Sequence, residues 1–250
     1  MLNIGIASLI LGVLGWLFHH QGMALSQLWQ LHSFALVFLG TAAATVLQFP
    51  MRQCRQVIRW VVVAFTSSPS IQQELHGLLE LANQHQLDGM DALIIAHKGI
   101  KNSFLKKLLG LVIDGADASL VRTSGEATIR AIQQRHELAI FFFEQMAKYA
   151  PGFGLLGTVV GLIQLLSSLT TPDQFGQGMA LALVTTFYGI LLANVLFQPM
   201  AGRLVVLDQE ELRKNEMVLI GVLGMVDREP ALLIKEKMEM VIHNQPVVLV

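Results

Sequence analysis

The chain has 250 residues, 53% of them hydrophobic and only 14% charged, with 17 Lys and Arg against 18 Asp and Glu for a formal net charge of −1. That balance excludes a nucleic-acid binder, which needs a basic face, and describes a polytopic membrane protein with a modest soluble portion. The single cysteine, Cys54, excludes an internal disulfide framework, and no Cys/His set has metal-ligand spacing, so neither a resident metal nor another cofactor is expected.

Residues 2–18 (LNIGIASLILGVLGWLF) are uncharged. They lack a basic n-region and a small-x-small cleavage signature, and so read as a first membrane span rather than a signal peptide. In the polar connector 19–30, His19 and His20 are neighbours that point to different faces of a helix, which makes them an ordinary interfacial pair. A second span follows at 31–51. Residues 52–66 open with Arg52, Arg55 and Arg59, a basic stripe that either lies against anionic headgroups or continues the second span, and Pro69 ends it.

The next segment reads as a helical bundle. Residues 71–86 place Leu75, Leu78, Leu79 and Ala82 on one face, and 92–113 repeat apolar positions at three and four. Asp114, Gly115, Ala116 and Asp117 form a turn. From Ala118 a long helix runs through Lys148 into the third span, 150–170 (APGFGLLGTVVGLIQLLSSLT), and the fourth is 178–199 (GMALALVTTFYGILLANVLFQP). Each is long enough to cross a hydrocarbon core of about 30 Å. The tail from Val205 is helical again, with a break near Pro230. The fold class is therefore all-α: four transmembrane helices, with a helical bundle between spans two and three. The expected domains are 1–51, 52–148, 149–203 and 204–250.

All 17 Lys and Arg fall between the second and third spans or after the fourth. By the positive-inside rule both termini and the bundle are cytoplasmic, and the connectors at 19–30 and 171–178 face out. No nucleophile motif and no phosphate-cradling glycine loop occurs, so no catalytic residue is assigned and no enzyme is expected.

The intramembrane polar groups carry two readings. In span three Gly154, Gly157, Thr158 and Gly161 share a small-residue face. In span four Ala182, Thr186, Gly189 and Ala193 do the same, with Thr185 and Asn194 beside them. Either these faces pack helices closely, each hydroxyl bonded to its own backbone and contributing about 1 kcal/mol, or they line a cation route. No Asp or Glu precedes Glu74 and none lies within span three or four. A cation relay needs a carboxylate that binds and releases the ion, so any such acid belongs to a partner.

These residues carry a family resemblance. YAPGFGLLGTVVGLIQLL (149–166), TPDQFGQGMA (171–180) and LALVTTFYGILLANVLFQPMAGRL (181–204), with DGADASLV (114–121) and QQRHE (133–137), resemble the flagellar stator A subunits of the MotA/PomA family, nearest the sodium-type PomA, within the MotA/TolQ/ExbB superfamily. The resemblance covers about residues 31–230. Two spans before the large cytoplasmic loop match MotA-like chains rather than the TolQ/ExbB type, which has one there.

The resemblance implies a torque-generating, ion-conducting subunit of the bacterial inner membrane. Five copies would surround a dimer of B-type subunits that supply the ion-binding Asp and grip peptidoglycan, and the ring would push the rotor switch protein. It implies that Thr158 and Thr186 line the ion route, with Thr158 favouring Na+ over H+ because hydroxyl oxygens suit a hard cation. Pro151 and Pro199 match family prolines where spans three and four bend.

The chain departs from the pattern at the rotor-contacting helix, where Asn83 and Gln84 replace a basic pair and Asp91 stands for the acid. Rotor contact then falls to other charges such as Asp88, Asp91, Lys98 and Lys101, each of which also reads as an ordinary solvated residue. The alternative function is an energy-transducing subunit of the superfamily that powers a non-flagellar envelope or gliding process.

Overall fold

The computed structural model describes residue 12, residues 29–57, 60–62, 70–167 and 172–243. Apart from Gly12, the expected first span lies outside the described residues, as do His19, His20, Arg59, Pro69, the chain from 244 onward and the side chain of Arg52. Every regular element among the described residues is helical. They are α1 (Leu31–Gln48), a single turn at Met51–Cys54, α2 (Ile71–Asp88), α3 (Met90–Gly99), α4 (Ser103–Ile113), α5 (Ala118–Ser167) and α6 (Pro172–Leu191). A π-helical segment (Leu192–Phe197) then leads into α7 (Gln198–Val226), and α8 (Ala231–His243) follows. Three candidate spans are long and apolar enough to cross a membrane: Leu31–Gln48 and windows within Ala118–Ser167 and Gly176–Val226.

The chain divides into two compact units, the first made of Met1–Cys54 with Phe142–Pro199 and the second of Arg55–Phe141 with Met200–Val250. The tail, expected as a separate domain from 204, belongs to the same unit as the bundle. Its apolar positions, Met217, Val218, Val222 and Met225, are part of that unit's core.

In the first unit α1 buries Ser33, Val37, Thr41 and Thr45, one residue per turn. Such a polar stripe is tolerated because each hydroxyl is satisfied locally. Thr41 Oγ1 donates to the Val37 carbonyl at 2.7 Å and Thr45 Oγ1 to the Thr41 carbonyl at 2.8 Å, while Ser33 Oγ donates to Gln30 Oε1 at 2.9 Å. Aromatic contacts join the elements: Phe34 meets Tyr188 edge-on at 5.5 Å, and Phe49 packs on Phe142 at 5.1 Å.

The second unit is organised by a conventional apolar core in which Leu78, Leu93, Leu108, Leu109, Val121 and Met238 are almost fully buried. In α2 the buried set is Leu75, Leu78, Leu81 and Ala82, with the expected Leu79 only partly buried. The single apolar run expected over 92–113 is two helices. The break at Ile100–Asn102 is fixed by Asn102, whose Oδ1 accepts from Phe104 N at 2.9 Å and Leu105 N at 3.2 Å, capping α4. Asn102 also donates to Glu74, which Lys214 holds from the other side at 2.5 Å. His136 on α5 bonds Asp208 on α7 at 2.8 Å. Gly125 and Gly221 admit the close approach of Leu219 and Met238.

Three turns show the local chemistry of helix ends. At Gly89 (φ 65°), Gly115 (φ 84°) and Arg228 (φ 53°) the backbone is left-handed. After α4, Ala116 N bonds Leu111 O at 2.9 Å. After α7, Glu229 N bonds Gly224 O at 2.9 Å, so both ends close with the same six-residue hydrogen-bonded loop. Glycine adopts that conformation freely and arginine does not. Asp117 starts α5, its Oδ1 accepting from Leu120 N at 3.0 Å and its Oδ2 from Ser119 Oγ at 3.0 Å. The Leu120 amide, and after it the Ser119 hydroxyl, hold the Asp117 carboxyl below its ordinary range. Being lowered on folding, this group adds stability above the unfolded carboxylate's titration range, and that stability is lost as pH falls through the folded value.

The two helix ends predict opposite mutational signs. Arg228→Gly relieves a left-handed arginine and raises stability by about 1 kcal/mol. Gly115→Ala introduces the same penalty and lowers stability by about 1 kcal/mol. Thermal unfolding of the detergent-solubilised protein reads both, and a fall in Tm for Arg228→Gly refutes the assignment.

Candidate functional site

The site is the seam between α5 and α6 in the first unit, built from residues small enough to bring two backbones together. A methyl group added at Gly161 would meet Ala182 N and Gly178 O, both at 2.6 Å. One added at Gly178 would meet Gly161 O at 2.8 Å, and one at Gly189 would meet Ala150 O at 2.8 Å and the Gly154 Cα at 3.0 Å. Backbone cannot yield as a side chain can, so these glycines set the distance between the helices. At Gly157 the neighbour is the Thr185 side chain, with Cβ and Oγ1 both at 2.5 Å from the added carbon. The fourth-span face is therefore Gly178, Ala182, Thr185 and Gly189, stepping by four, three and four.

Small-residue spacing in the sequence puts Thr186 on that face with Thr185 beside it and does not include Gly178. In the structure Thr185 is fully buried and Thr186 partly so. Hydropathy does not separate two adjacent threonines; only the phase of the helix against its neighbour does. Ala193 is buried, whereas Asn194 is exposed and its Nδ2 donates to Ile190 O at 3.0 Å.

Every threonine here spends its proton on its own helix. Thr158 Oγ1 donates to Leu155 O at 2.5 Å, Thr186 Oγ1 to Ala182 O at 3.3 Å, and Thr185 Oγ1 to Leu181 O at 2.8 Å and Ala182 O at 3.1 Å. A hydroxyl donating this way keeps acceptor lone pairs facing outward, which suits it to a cation and not to nucleophilic work. Thr158 lies one turn beyond Gly154 on α5. The Thr186 Cα borders Gly154, 3.3 Å from where a Cβ would sit, so the two partly exposed threonines flank the same stretch of seam. The only acids in the first unit's sequence are Glu144 and Asp173, and neither falls between Ala150 and Ser167 or between Gly176 and Pro199.

Both prolines are exposed and sit in continuous helical backbone. Pro151 lies inside the 50-residue α5 and leaves the Ala147 carbonyl without its usual donor. Pro199 lies one residue beyond the π-helical segment's C-cap, Gln198, whose N bonds Ala193 O five residues back. A proline ring collides with the carbonyl four residues before it, and widening the preceding turn relieves that collision.

Asp88, Asp91, Lys98 and Lys101 belong to the second unit and are all exposed. Asp88 ends α2 and Asp91 begins α3 across the Gly89 turn. Lys98 closes α3 about 10 Å further on at 1.5 Å per residue, so the four form two patches rather than one.

Comparison with known proteins places this geometry. Residues 96–217 match the MotA/TolQ/ExbB proton channel family. Motility protein A of Treponema phagedenis is 33% identical over 204 residues, covering 81% of this chain and 79% of that protein. Chemotaxis protein PomA of Vibrio alginolyticus is 30% identical over 196 residues, covering 78% and 77%. The flagellar MotAB stator complex from Bacillus subtilis contains a chain that superposes with a TM-score of 0.81 at 28% identity, covering 93% of this chain and 94% of that one.

The glycine seam predicts a contrast between two conservative substitutions. Gly161→Ala forces the helices apart and costs about 1–3 kcal/mol, whereas Gly152→Ala, with nothing within 4 Å, leaves stability unchanged. Thermal unfolding in detergent checks both, and equal effects would remove the seam from the account.

Proposed function

The chain belongs to the MotA/TolQ/ExbB proton channel family and is a stator subunit of the bacterial flagellar motor, and we propose that it forms the A-type ring through which ions are conducted and torque is made. It is an inner-membrane protein that assembles with a B-type partner and with further copies of itself. On this reading five copies surround two B-type subunits. Both termini and the second unit lie in the cytoplasm, and Asp88, Asp91, Lys98 and Lys101 face the rotor switch protein.

One observation carries the reading: a glycine-set seam edged by Thr158 and Thr186 hydroxyls, in spans whose sequence has no carboxylate of their own. Such a surface solvates a cation in part and cannot bind it outright, so the partner's acid completes the site. Hydroxyl oxygens at both threonines favour Na+ as the coupling ion, with H+ the alternative. Each charge crossing the membrane supplies about 2.3 kcal/mol per 100 mV, an increment suited to small steps of a ring. Pro151 and the π-helical segment before Pro199 are weak points in the α-helical ladder, where such steps bend the spans.

A strain deleted for this chain is expected to lose swimming and to regain it on complementation, with speed rising with external sodium at fixed pH. Thr158→Ala and Thr186→Ala should each lower sodium flux roughly tenfold while the complex still assembles, the loss expected when about 1.4 kcal/mol of cation stabilisation is removed. Flux indifferent to both changes would return the threonines to a packing role, and speed indifferent to sodium would assign H+.

A further inference from the structure

Four parts of the second unit border a cavity of about 780 Å³: the start of α2, the break between α3 and α4, α5 and α7. A bare ion needs far less space, and the volume falls within the range of about 300–1,000 Å³ typical of small-molecule sites. Three cations line it, Lys101, Arg135 and Lys214, against two acids, Glu74 and Glu211. Lys214 and Asn102 already hold Glu74, and Glu211 lies 3.8 Å from His136 Nε2. Lys101 and Arg135 have no ion-pair partner among the described residues, so the lining keeps a surplus of positive charge.

Neutral groups with unused hydrogen-bonding capacity line the same space. The Ser70 and Ser103 hydroxyls make no hydrogen bond to a described residue. Ser70 is the N-cap of α2, whose Gln73 and Glu74 amides return to the Ser70 carbonyl, while those of Ile71 and Gln72 have no acceptor among the described residues. At α4 the Phe104 and Leu105 amides are taken by Asn102 Oδ1, so α2 is the helix start left open. A helix start is electropositive, and its free amides suit an anion. The deciding residue is Asn215 of α7. It lines the cavity, is only 4% exposed, and its side-chain amide makes no hydrogen bond to any described residue. Buried amides are paired almost without exception, and one left open beside a cavity marks where a ligand's polar atoms belong.

We propose that this cavity binds a phosphate-bearing ligand, whose phosphate oxygens meet the Arg135 and Lys101 side chains, the open start of α2 and the Asn215 amide. Arginine presents paired donors that match phosphate oxygens, and a helix start adds amide donors without adding charge. Soluble polyphosphates and anionic lipid headgroups carry the same chemistry, and the experiment separates them. A ligand seated there joins the start of α2 to α5 and α7, which gives the second unit a brace that depends on ligand concentration. The site lies wholly within that unit and is independent of the coupling ion.

The test uses the full chain with its B-type partner in detergent, titrated with tripolyphosphate or with short-chain phosphatidylglycerol and followed by calorimetry and by thermal unfolding. Saturable binding of tripolyphosphate assigns a soluble ligand, and binding of the lipid alone assigns a headgroup. In either case Arg135→Gln and Lys101→Gln should each weaken binding roughly tenfold, the loss expected from one charge-assisted hydrogen bond. Lys106→Gln, at an exposed lysine outside the cavity, should leave binding within about twofold. Asn215→Leu should raise the Tm of the ligand-free complex, because a buried amide without a partner is removed, and should shrink the rise in Tm that the ligand gives. Should that variant accumulate poorly, the exposed Arg135 and Lys101 decide the matter, since their substitution leaves the core intact. Absence of saturable binding of both probes up to about 5 mM, or equal weakening by Arg135→Gln, Lys101→Gln and Lys106→Gln, overturns the proposal.

Discussion

The contact of backbone on backbone between α5 and α6 is the constraint on which the candidate site depends. Two spans in lipid gain nothing from the hydrophobic effect when they meet, since lipid tails are as apolar as leucine. Close van der Waals contact must hold them, and it is available only where Gly154, Gly161, Gly178 and Gly189 remove the intervening side chains. Once that distance is fixed, the places left for Thr185, inside the seam, and for Thr158 and Thr186, at its edge, follow from helix geometry. The larger residues of the same helices, such as Leu155, Ile163 and Leu183, are turned outward and exposed.

The second unit rests on a different balance. Its core is that of a water-soluble bundle, with Leu, Val and Met buried at the expected spacing and charged residues outside. Specific polar groups appear where helices must stop or meet: Asn102 and Glu74 with Lys214, Asp117 at the start of α5, and His136 with Asp208. Each of these contacts joins or delimits elements far apart in the sequence. The bundle therefore owes its topology to a few hydrogen-bonded points and its stability to a continuous apolar interior.

Legibility in the sequence followed the length scale of the signal. Uninterrupted apolar runs and turn residues were enough to place the helices of candidate spans two to four, the turn at 114–117 and the passage of the long helix into the third of those apolar stretches. Three features escaped because they depend on a neighbour. The break between α3 and α4 hinges on an asparagine cap held by Glu74, 28 residues away, inside a run whose apolar period looks continuous. The exchange of Thr185 for Thr186 is a phase difference of one residue, invisible without the facing helix. The π-helical segment was foreshadowed only by Pro199, since a proline predicts trouble in the turn before it but not how the backbone resolves it.

The threonines of the spans have a consequence for how the protein is made. Thr41, Thr45, Thr158, Thr185 and Thr186 each find an acceptor in the turn below, within their own helix. A newly synthesised span therefore leaves the insertion machinery with its hydroxyl protons already bonded and can wait in the bilayer as an isolated helix. Helices meet because their surfaces fit, and these threonines lose no hydrogen bond when a span parts from a neighbour.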